Sequence, residues 1–78
     1  MGKIDRIRRI ENVSGLLLNA YRKYDHDDPQ LKVAQNEILT AFRVELQSAG
    51  KSRTTINDYL SCAVVKALDS YEKELKRR

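Results

Sequence analysis

Asp25-His26-Asp27-Asp28 is the one run of this chain that gathers potential metal ligands and proton carriers. A zinc site needs further nitrogen or sulfur ligands at tetrahedral geometry, and no second histidine or suitably placed cysteine supplies them. The run also lacks the Asp-x-Asp-x-Asp-Gly plus Glu spacing of a calcium loop. It reads instead as a polar turn that caps a helix. His26 and Cys62 are each the only residue of their kind. As a base and a nucleophile they would need mutual contact, with donors aimed at a developing oxyanion. The helical organisation of the chain puts His26 at one pole and Cys62 within the last helix. The sequence therefore leads us to expect no catalytic residues, no metal, no cofactor and no enzyme.

The elements that must position these residues are set by two breaks, His26-Asp27-Asp28-Pro29 and Gly50-Lys51-Ser52-Arg53-Thr54-Thr55, which leave three segments of nearly equal length. Each segment has an apolar stripe at three- and four-residue steps, the signature of an amphipathic helix. The first stripe is Ile7, Ile10, Val13, Leu17, Ala20, Tyr21 and Tyr24. The second is Leu31, Ala34, Ile38, Leu39, Phe42, Leu46 and Ala49, and the third is Ile56, Leu60, Ala63, Val64, Ala67, Leu68, Tyr71 and Leu75. Asp28 can cap the second helix, with Pro29 in its first turn. Gly50 suits a left-handed residue at its end, and Thr55 with Asp58 is similar to a capping box. The spacing predicts helices over about 3–24, 29–49 and 55–77. Short connections force neighbours to run antiparallel, so the expected fold is all-α, a single 1–78 domain built as an antiparallel up-down-up three-helix bundle.

A chain of 78 residues buries only about 60% of the surface it exposes when unfolded, so partner binding or self-association would add useful stability. One cysteine excludes an internal disulfide and fits a reducing compartment. The apolar runs Leu16-Leu17-Leu18 and Ala63-Val64-Val65 are far too short to span a membrane. No apolar region follows the charged start, as a secretory signal would require. A cytoplasmic protein is expected. The net charge of +4, with a pI near 9.4, permits contact with nucleic acid or an anionic membrane but demands neither.

Antiparallel packing sorts these charges. One pole gathers Lys3, Arg6, Arg8, Arg9, Arg43, Lys51 and Arg53 against Asp5, Glu11, Glu45 and Asp58, while the other is nearly balanced. The first pole also holds the start of the third helix, whose free N–H groups favour anions. Val33, Val44, Tyr59, Cys62 and Val65 lie off the main stripes. They are either scattered surface residues, which are ordinary, or one joint patch for a protein partner or a homodimer.

Gly50-Lys51-Ser52-Arg53-Thr54-Thr55-Ile56, continued by Tyr59-Leu60, resembles the turn and recognition-helix start of helix-turn-helix DNA-binding proteins, which implies that Ser52, Arg53, Thr54 and Asn57 face DNA. Over the whole chain, Leu16-Leu17-Leu18, Asp27-Asp28, Ile38-Leu39, Leu46, Ile56-Asn57 and Tyr59-Leu60 are similar in spacing to the immunity proteins of pediocin-like bacteriocins. That resemblance implies a small basic cytosolic helical bundle that acts with a membrane receptor and without catalysis. Its specificity would lie toward the C-terminal part. The expected function is thus bacteriocin immunity. The alternatives are a small phage- or plasmid-type DNA-binding regulator and a protein-binding inhibitor or adaptor.

Overall fold

The computed structural model describes the backbone of residues 2–77 and the side chains of residues 4–77. The described residues form α1 (Gly2–Lys23), α2 (Pro29–Ser48) and α3 (Arg53–Lys76). All three pack on one another. Cross-links give their directions. Arg9 near the start of α1 meets Glu45 near the end of α2, and Tyr21 near the end of α1 donates to Gln35 near the start of α2. These two helices are therefore antiparallel. Arg6 reaches Asp58 and Arg22 reaches Glu74, so α1 and α3 run parallel. The fold is an all-α, up-down-up three-helix bundle. No described helix is long and apolar enough to cross a membrane.

The helix ends are built by local chemistry. The Asp28 carboxylate accepts from the Gln30 N–H at 2.9 Å, and Pro29 opens α2 where its missing N–H leaves no gap in the ladder. At the other end Gly50 takes φ +78°. Its N–H donates to the Gln47 carbonyl, and that of Lys51 donates to the Leu46 carbonyl. This is a Schellman closure, which satisfies carbonyls that the helix leaves unpaired.

The third helix begins earlier than its sequence predicts, at Arg53 rather than 55. Ser52 is the cap: its hydroxyl accepts from the Thr55 N–H at 3.2 Å and donates to the Thr55 hydroxyl at 2.9 Å. The expected Thr55–Asp58 capping box does not form, because Ser52 reaches the free N–H first and Asp58 pairs with Arg6. Replacing Ser52 with alanine should cost about 1 kcal/mol, and with glycine only a few tenths. Denaturant titration of both variants checks this, and equal losses would remove the hydroxyl from the account. The far ends of the helices fall one residue short of the predicted limits, at Lys23, Ser48 and Lys76.

The core joins Ile10, Val13, Leu17, Ala20 and Tyr21 of α1 to Leu31, Phe42 and Leu46 of α2 and to Ile56, Tyr59, Ala63 and Ala67 of α3. Leu17 and Leu46 are wholly buried and Phe42 is 2% exposed. Four residues of the predicted stripes are corrected outward: Ile7, Ala49, Leu68 and Leu75 are exposed. One polar residue moves inward. Ser14 is buried, and its hydroxyl is satisfied by donating to the Glu11 carbonyl at 3.0 Å, the usual solution for serine inside a helix.

Candidate functional site

The reactive residues do not converge. His26 sits edge-on against Tyr71, ring centroids 5.6 Å apart, and Asp28 is spent on its cap. Cys62 lies nine positions before Tyr71 on α3, about 13 Å along the axis. Its sulfur accepts from Arg6 at 3.1 Å and is 3.8 Å from Asp58. Among the described residues no three His, Cys, Asp or Glu side chains are grouped to hold a metal ion.

The basic pole divides into two sets. Arg6 binds Asp58 at 3.0 Å and lies over the Tyr59 ring. Arg9 binds Asp5 and Glu45, each at 3.0 Å. Lys51 reaches Asp5 at 3.6 Å and also lies over Tyr59. The hydrogen bond from Arg9, aided by Lys51, holds the Asp5 carboxyl below its ordinary range. The same kind of bond, donated by Arg6 to Asp58 and by Arg9 to Asp5, raises both guanidinium groups. These cations tie α1 to its neighbours. Arg8, Arg43 and Arg53 form the second set: they are exposed, and among the described residues no carboxylate pairs with them. Lys3 lies outside the described side chains.

Arg43 and Arg53 face one cleft. With Gln47, Lys51 and Asn57 they surround a polar hollow floored by Ile56. The hollow exists because α2 and α3 touch each other least of the three helix pairs. It continues into an apolar trough over Leu39, Leu60, Val64 and Val65, and the two stretches share Arg43 and Asn57. They form one groove with a cationic mouth and an apolar floor. Of the four residues predicted to face DNA, Ser52, Arg53, Thr54 and Asn57 are all exposed, but only Arg53 and Asn57 line the groove. The Ser52 hydroxyl is engaged in its cap.

Of the five off-stripe residues, Tyr59 and Cys62 do not stand on an open surface. Val33, Val44 and Val65 are exposed, but Val33 lies in a shallow depression on α2 with Thr40 and Ala41, whereas Val65 borders the groove. Tyr59 is corrected into the core. It is 5% exposed and packs against Phe42, ring centroids 6.3 Å apart. Cys62 is half-buried behind Arg6. Both turn inward because α3 leans mainly on α1, which rotates its buried arc toward that helix.

No protein-family model, curated protein or solved structure matches the chain. Gln47 carries no signal in the sequence, and Leu39, Leu60 and Val64, expected in the buried stripes, are instead half-covered and line the trough. A signal was present for part of it: Leu60, Val64 and Leu68 recur every four residues and widen the third stripe beyond what one neighbour can cover.

Proposed function

We propose that this chain is a non-catalytic binding protein of the bacteriocin-immunity type, acting through a complex with a membrane receptor. The observation that carries the reading is the groove between α2 and α3, in which an open apolar trough runs on from a cationic mouth. Such a surface suits docking, because apolar area removed from water supplies affinity and charges at the rim select the partner. Expression in a strain sensitive to pediocin-like peptides should raise the inhibitory concentration of at least one peptide tenfold or more. Unchanged killing across the panel would end this reading.

A second reading, a small DNA-binding regulator, is favoured by the unpaired Arg43 and Arg53 beside Asn57 and Gln47. It requires mobility shifts of duplex DNA that fade steeply with added salt and weaken in Arg53→Ala. Absence of any shift at low salt excludes it.

A further inference from the structure

We infer that the α2–α3 groove receives one amphipathic helix of a protein partner, whose apolar stripe covers the trough and whose carboxylates at one end meet Arg43 and Arg53. This rests on the reading of a non-catalytic binding protein and names the chemistry of its partner. Three observations select the occupant. From Arg53 to Val65 the groove follows α3 for about 18 Å, a length that three turns of helix match. Leu39, Leu60 and Val64 are only half-covered by this chain and Val65 is 65% exposed, so an apolar stripe laid along them removes water from both partners. Finally, Arg43 and Arg53 lack carboxylate partners among the described residues, while Arg6, Arg9 and Lys51 have theirs. The mouth is thus the place where added acid meets unspent positive charge, beside the positive end of the α3 dipole.

The same observations turn away other occupants. A phosphate backbone has no use for the apolar trough. A second copy of this chain carries a net charge of +4, so like charges oppose its approach to the mouth, and sedimentation decides that case.

The test uses the intact chain and two synthetic, labelled helical peptides. Both carry the same leucine stripe at three- and four-residue spacing. One has glutamates in its first turn and the other lysines. Fluorescence anisotropy at low salt should show the glutamate peptide binding at least tenfold more tightly than the lysine peptide. Arg53→Glu and Val65→Asp should each weaken it at least fivefold. Both positions are exposed, and circular dichroism of each variant should match the parent. The inference is overturned if the glutamate peptide does not bind, if both peptides bind equally, or if the folded variants bind like the parent. Duplex DNA bound where the peptide fails would assign the mouth to nucleic acid. A dimer seen in sedimentation and abolished by Val65→Asp, with no peptide binding, would assign the trough to a second copy. The killing assay separates this inference from the proposed function: protection without peptide binding leaves immunity standing and removes the groove from it. Selective peptide binding without protection does the reverse.

Discussion

Phe42→Ala is expected to destabilise the bundle by about 3–5 kcal/mol, the usual cost of emptying a buried phenylalanine site. Phe42 sits at 2% exposure in the middle of α2 and packs against Tyr59, so its removal leaves a cavity between two helices. Small domains have only about 5–15 kcal/mol in total, and one of this size belongs at the lower end. The variant should therefore be partly unfolded at ambient temperature. Its melting temperature should fall on the order of 20 °C, since each kcal/mol shifts a domain this small by roughly 4–8 °C. Thermal melts followed by far-UV circular dichroism give the answer directly. A fall of only a few degrees would mean that α2 contributes little to the core. The groove should be lost together with the fold, because α2 forms one of its walls.

The second large effect runs against simple hydrophobicity. Ala63→Leu adds apolar surface, yet it should destabilise by about 1–3 kcal/mol. Ala63 is wholly buried and Ala67 is 1% exposed, while α1 contributes the small buried residues Ser14 and Ala20. Small side chains let helix axes approach closely, and α1 with α3 is the most extensively packed pair in the bundle. A leucine at position 63 has to push that pair apart, and the ties Arg6–Asp58 and Lys66–Glu11 along the same seam stretch with it. Val65→Leu, two residues away on the exposed side, serves as the control and should stay within about 0.5 kcal/mol of the parent. Denaturant titration of both variants decides the matter. A stabilised Ala63→Leu would reveal unfilled space in the α1–α3 seam.

What the sequence by itself determined is mostly local. Asp28, Pro29 and Gly50 stop and start helices through bonds made within a few residues, and the structure reproduces each of them. The three stripes specify the bundle, since three connected amphipathic helices have few other ways to cover their apolar faces. Even the missed cap at Ser52 was a contest among neighbouring hydroxyls, decided within one turn.

Tertiary structure decided the rest. A helical wheel shows which residues share a face, but not which neighbour that face will meet. Because α3 packs chiefly on α1, its buried arc is rotated toward α1. Tyr59 is thereby covered at 5% exposure, while Leu68 and Leu75 are left at 39% and 47%. The same rotation opens the trough between α2 and α3. Charge was decided in the same way. The seven cations of the basic pole look equivalent in the sequence, but Arg6, Arg9 and Lys51 fall within reach of carboxylates on other turns and helices, and Arg43 and Arg53 do not. The Arg9–Asp5 pair is local, four residues apart on one helix, but the pairs Arg6–Asp58, Arg9–Glu45 and Lys51–Asp5 depend on distances of a few ångströms between segments far apart in the chain. Only packing sets those distances, and so only packing separates the cations paired across the bundle from Arg43 and Arg53, which face the groove without a carboxylate partner among the described residues.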